Sequence, residues 1–174
     1  MAKKNDSTPT GSGNTMHPTR NTTDDNVRVA MVGLLQKHLA TAIDLSYAAK
    51  QAHWNVKGAN FYQTHLLFDQ LHEEAEGYVD TIAERLTALG GQARGTVQAS
   101  AGETLLEPYP LDMVDSMDHL KRLAKNYSDY GAALREAIEE CDETGDELTA
   151  DLFTAIGRGV DKSLYFLESH FQTK

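Results

Sequence analysis

Residues 65–84 read HLLFDQLHEEAEGYVDTIAE, and within them His65, Asp69, Asp80 and Glu84 follow one another at steps of four, eleven and four. On an α-helix that turns about 100° per residue, those steps set the four side chains at roughly 0°, 40°, 60° and 100°, a single stripe. The apolar residues Leu67, Leu71, Ala75, Tyr78, Ile82, Leu86 and Leu89 fall roughly opposite, so the stretch reads as one amphipathic helix over about residues 60–89, ended by Gly90-Gly91. Imidazole and carboxylate are both metal-ligand types. At a rise of about 1.5 Å per residue, however, the His65/Asp69 pair lies about 16 Å from the Asp80/Glu84 pair, too far for both to grip one ion. Each pair is half a site. The simplest completion is a second copy of the helix, antiparallel across a two-fold axis, which makes the chain an oligomer. The same face also carries His72, Glu73, Glu74 and Glu76, as a solvated acidic surface would, and spacing alone leaves both readings open.

On the N-terminal side, Val32, Leu35, Leu39, Ala42 and Ala49 repeat at helical spacing, with Ser46 and finally His53 in the same row. This predicts a first long helix, with Asp24 as N-cap and Gly58 closing it. A histidine in an apolar row is also what a hydrogen-bonded core residue looks like, and Trp54 beside it reads as packing. On the C-terminal side, residues 90–110 hold Gly, Ser, Thr and two prolines, a crossover long enough to run the length of a bundle and to contain a short helix. Pro110 is placed to open a third helix carried by Leu111, Val114, Met117, Leu120, Ala124, Tyr127, Leu134 and Ile138. Asp142-Glu143-Thr144-Gly145-Asp146 breaks it. A fourth helix from about Glu147 carries Leu152, Ile156, Val160, Leu164, Leu167 and Phe171, and Gly157 and Gly159 weaken it by up to about 1 kcal/mol each relative to alanine. The pattern is all-α: a ferritin-like four-helix bundle with one long crossover between helices 2 and 3.

Residues 1–23 are rich in Ser, Thr, Asn, Gly, Pro and Lys, with no aromatic residue before Tyr47, which predicts a flexible tail ahead of one bundle domain over 24–174. The 174 residues carry a formal charge of −10, which argues against a broad nucleic-acid surface and suits a protein that attracts cations. The single Cys141 cannot form an internal disulfide, and no secretion signal or membrane span is legible, so the expected compartment is the cytoplasm, with no membrane partner. No phosphate loop, serine elbow or CxxC motif is present.

The run Lys50-Gln51-Ala52-His53-Trp54-Asn55-Val56-Lys57-Gly58, then Phe61, His65, Phe68-Asp69, Asp80 and Ala83-Glu84-Arg85, resembles the signature of the Dps family, the twelve-subunit mini-ferritins that protect DNA in starved bacteria. Leu89-Gly90-Gly91, Pro108-Tyr109-Pro110-Leu111, Thr149-Ala150-Asp151 and Asp161-Lys162-Ser163-Leu164 fit the same pattern, so the resemblance runs from about Asn26 to the C-terminus. It implies that His53, His65 and Asp69 of one subunit face Asp80 and Glu84 of its two-fold mate. These five would bind iron as Fe²⁺, oxidise it preferably with hydrogen peroxide, and deliver ferric mineral to a hollow homo-dodecamer; zinc or another divalent ion could substitute. Trp54 would pack beside the site or accept a stray oxidising equivalent. Asp142, Glu147 and Asp151 resemble the acidic residues that line the family's three-fold pores, although residues at that position also serve helix capping.

The sequence departs from the family in its tail. Some members bind DNA through a lysine-rich N-terminus, but here Lys3, Lys4 and Arg20 stand against Asp6, a side-chain balance of +2. Twelve chains of charge −10 carry about −120 behind such tails. DNA binding is expected to be weak and to collapse with salt, while multivalency keeps open the alternative of a DNA-compacting nucleoid protein acting through its tail. A purely structural or adhesive bundle is the third reading. Gly157 and Gly159 stand where relatives often carry a larger residue, and Tyr165 where many carry Trp. The Glu-x-x-His pattern of an intrasubunit di-iron site is missing, with Asp69-x-x-His72 its nearest echo.

Overall fold

The computed structural model describes residues 16–172, and all its regular elements are helices: α1 (Asp25–Asn55), α2 (Phe61–Ala88), α3 (Val97–Glu103), α4 (Ser116–Thr144) and α5 (Glu147–Glu168). Two antiparallel hairpins make the bundle. In the first, α1 and α2 are joined by a five-residue loop in which Gly58 takes φ +114°. In the second, Gly145 caps α4 in the left-handed conformation, and its amide returns to the Cys141 carbonyl. Asp146 then starts α5 by accepting from the Thr149 amide.

The connection between the hairpins runs back along the bundle. The Lys57 amide donates to the Val114 carbonyl, which fixes the start of α4 beside the start of α2, so these helices run parallel as the long crossover requires. Within it, α3 packs against α1. Pro110 does not open the third long helix. Asp115 does, because its carboxylate accepts from the Met117 and Asp118 amides and satisfies the donors that a first turn leaves bare. Leu111 and Val114, assigned to that helix by periodicity, lie before it and are exposed. Asp24 does flank α1 as its N-cap residue, but its side chain makes no capping bond. Phe171 lies past the end of α5, yet still packs on the core.

Buried Leu35 and Leu39 of α1, Phe68 and Leu71 of α2, Tyr127 of α4 and Phe153 of α5 meet in one continuous core. Among the described residues, three polar links tie α2 to the second hairpin. Tyr127 donates to the Leu71 carbonyl, Ser163 donates to Glu74 at 2.7 Å, and Arg85 grips both carboxylate oxygens of buried Asp146 at 2.8 and 3.0 Å while its Nε donates to Thr149. Burial pulls the Asp146 carboxyl up, but the Thr149 hydroxyl and amide together with Arg85 outweigh it and hold the group below the ordinary carboxylate value. Gly159 is more than a weak point in α5. A Cβ there would lie 2.1 Å from the Tyr78 hydroxyl, so the glycine lets α2 and α5 close together.

Residues 1–15, and with them Lys3 and Lys4, lie outside the described residues. Of the remaining residues assigned to the tail, His17 donates its amide to the Gly90 carbonyl and Met16 packs on the core at the end of α2, while Arg20 is exposed. Among the described residues no helix is long and apolar enough to cross a membrane.

Candidate metal centre

His53 sits in the last turn of α1 and His65 in the second turn of α2, and the short loop between the helices stacks their rings with centroids 3.7 Å apart. Nδ1 of His53 lies 2.8 Å from the His65 carbonyl oxygen, and Nδ1 of His65 lies 2.9 Å from the His53 carbonyl oxygen. A carbonyl only accepts, so each Nδ1 carries the proton and each Nε2 keeps its lone pair. This is how an imidazole is dressed to bind a metal: one nitrogen is held by backbone and the other is free to ligate. His53 is therefore hydrogen-bonded, as a core histidine would be, and oriented as a ligand at the same time.

Asp69 follows His65 by one turn of α2, and its Oδ1 lies 3.7 Å from His53 Nδ1. Lys50, one turn before His53 on α1, forms an ion pair with the same oxygen. The hydrogen bond from Lys50 is the main reason that the Asp69 carboxyl is held below its ordinary value; it opposes partial desolvation and is helped by His53. The group is thus a carboxylate at neutral pH. His53, His65 and Asp69 form one cluster on the α1–α2 seam, and its donor set of two imidazoles and a carboxylate suits iron, manganese or zinc.

Asp80 and Glu84 do not join this cluster. Both are exposed on the far half of α2, with Asp80 on the rim of a groove between Ser46, Tyr47, Glu76 and Ala83. Among the described residues, no three such side chains of one chain are arranged to enclose an ion. Trp54 is 60% exposed, so within the chain it does not pack over the histidines; it follows His53 by one residue and is carried about 100° round the helix. Asp142, Glu147 and Asp151 are all exposed about the α4–α5 turn, with Asp146 between them turned inward to Arg85. The role of Lys50 went unseen in the sequence, although it precedes His53 by three residues and so shares its face.

A family model described as "Ferritin-like domain" matches residues 32–174. A DNA protection during starvation protein of Agrobacterium fabrum is 44% identical over 158 residues, covering 91% of this chain and 98% of the relative. Among solved structures, Dps from Microbacterium arborescens in the high iron form is similar at a TM-score of 0.81 and 34% identity, covering 87% of this chain and 99% of that one. DpsC from Streptomyces coelicolor is similar at a TM-score of 0.87 and 28% identity, covering 92% and 94%.

Proposed function

Since the chain belongs to the Dps family of ferritin-like proteins, whose functions are iron storage and DNA protection in general, we propose that it is a ferroxidase whose iron sites are completed across a two-fold axis. In this reading His53, His65 and Asp69 of one chain take up Fe²⁺ together with the partner's Asp80 and the partner's Glu84. The single observation that carries it is a contrast across the α1–α2 hairpin: His53 and His65 hold Nε2 free, and Asp80 and Glu84, about 16 Å farther along α2, are exposed with no ion-pair partner among the described residues.

The substrate is ferrous iron. Each Fe²⁺ gives up one electron and a peroxide takes two, so a pair of ferrous ions held together reduces one hydrogen peroxide to water without releasing a hydroxyl radical. The chain's residues supply the negative charge that favours the ferric product, and the histidine tautomers keep the nitrogens aimed. DNA would be protected by removing both reactants of radical chemistry, in a dodecameric cytoplasmic shell, rather than by tight binding through the tail. The exposed Asp142, Glu147 and Asp151 would gather cations at an entry pore by their summed field.

The test is stopped-flow absorbance of ferric product after anaerobic Fe²⁺ loading and a peroxide pulse. The wild type should oxidise iron fast, and the His53→Ala/Asp80→Ala double variant should fall to the protein-free rate while its oligomer stays intact. Equal rates would mean that the stripe is solvated surface, and the DNA-binding or structural reading would take its place.

A further inference from the structure

His72 belongs to neither half of the iron site, yet it is dressed as His53 and His65 are. Its Nδ1 lies 3.1 Å from the Ser46 carbonyl oxygen and 2.8 Å from the Ser46 hydroxyl. The carbonyl can only accept, whereas the hydroxyl can donate or accept, so with the proton on Nδ1 the ring satisfies both and leaves Nε2 as a free donor pair. The ring is mostly buried, and its Nε2 lies 3.6 Å from Oε1 of Glu76, whose side chain is 62% exposed. That separation is long for a hydrogen bond. It is close to the ligand-to-ligand edge of about 3.4 Å that a tetrahedral ion with bonds of about 2.1 Å would impose.

The pairing that completes the iron site fixes where His72 and Glu76 go. If His65 opposes the partner's Glu84 and Asp69 opposes the partner's Asp80, opposed positions always sum to 149, and the two-fold axis crosses α2 between Glu74 and Ala75. His72 then lies about 7.5 Å along the helix from its own copy, and Glu76 about 4.5 Å from its copy. With helix axes about 8–10 Å apart, both side chains reach the axis from both chains. The same register sets Glu73 against the partner's Glu76. Residues 65–84 contain no lysine or arginine; Lys50 of α1 pairs with Asp69 and Glu74 turns inward to Ser163, but Glu73 and Glu76 bring like charges together at the axis.

We propose that His72 and Glu76, with the partner's His72 and the partner's Glu76, form a further metal site on the two-fold axis, separate from the iron sites and resting on the same antiparallel pairing. Two imidazole nitrogens and two carboxylate oxygens make a closed four-coordinate set for a zinc-class divalent cation. With no open position it is structural: it neutralises the carboxylates at the axis and clamps the dimer whose halves make each iron site.

Cobalt(II) is the probe, because its visible absorption distinguishes tetrahedral from octahedral binding. In the assembled Asp80→Asn protein, where the iron sites are impaired, titration should give one tetrahedral cobalt per two chains. Adding His72→Gln, or independently the surface change Glu76→Gln, should abolish that band. Either change alone, in the otherwise wild-type protein and measured on the assembled oligomer, where the dimer is already held, should leave the rate of iron oxidation within about two-fold. A tetrahedral cobalt that survives both changes, or its absence from the Asp80→Asn protein, would overturn the site while Asp80-dependent iron oxidation stood. Iron oxidation indifferent to Asp80 would overturn the pairing, and both readings with it.

Discussion

The two ends of α2 are built for opposite tasks. At the N-terminal end, ionisable side chains turn toward α1 and find partners there: His65 with the His53 backbone, Asp69 with Lys50, His72 with Ser46. At the C-terminal end, the inward links go to the second hairpin through Tyr78 and Arg85, while Asp80 and Glu84 point outward. One end spends its acid inside the chain and orients its nitrogens. The other leaves its carboxylates exposed at the surface, without an ion-pair partner among the described residues, where another molecule can reach them. If the exposed carboxylates complete a partner's site as proposed, the contrast teaches that the unit of chemistry is two chains.

That contrast can be broken most severely by mixing. His53→Ala and Asp80→Ala chains are each expected to be inactive alone, since every site in either assembly lacks one ligand. Co-assembled at equal ratio, half of the dimers are mixed, and each of those contains one site with both halves intact. About a quarter of the wild-type oxidation rate should therefore return. Stopped-flow on the co-expressed oligomer checks this, and no recovery would mean that both residues serve a site within one chain.

The next effect lies at the inward side of the C-terminal end. Arg85→Met strands the Asp146 carboxylate, only 4% exposed, without its ion-pair partner, and should cost about 3–5 kcal/mol in denaturant unfolding at neutral pH. Because the Asp146 carboxyl is held below its ordinary value, the wild type has this stabilisation above about pH 3.8 and loses it as pH falls through the depressed value. The gap between variant and wild type should therefore narrow in acid.

Sequence periodicity made α1, α2 and α5 legible, together with the separation of His65 and Asp69 from Asp80 and Glu84, because both depend only on spacing along one helix. It misplaced the start of α4, where a proline at a favourable distance competes with Asp115; only the fold shows that Asp115 has two bare amides to accept from and Pro110 none to satisfy. Lys50 escaped for a related reason. Its partner Asp69 is nineteen residues away on another helix, so the pair exists only after the hairpin closes.

The smallest effect separates two glycines that the sequence treats alike. Gly159→Ala pushes a methyl into the Tyr78 hydroxyl and should destabilise by about 1–3 kcal/mol. Gly157→Ala meets nothing within 4 Å and should stabilise by up to about 1 kcal/mol. Thermal melts of the two variants should move in opposite directions; if both fall, the close approach of α2 to α5 is not what selects glycine.

If the histidine half takes up a divalent ion as proposed, the ion pair between Lys50 and Asp69 makes it an exchanger rather than an empty cup. An ammonium tethered within the same hairpin keeps the carboxylate satisfied at a high effective concentration, which dilute monovalent ions cannot match. A divalent ion that also collects two imidazole nitrogens can displace it. Entry of the ion would then free one lysine per site, and selectivity would be set by a cation that the chain already carries.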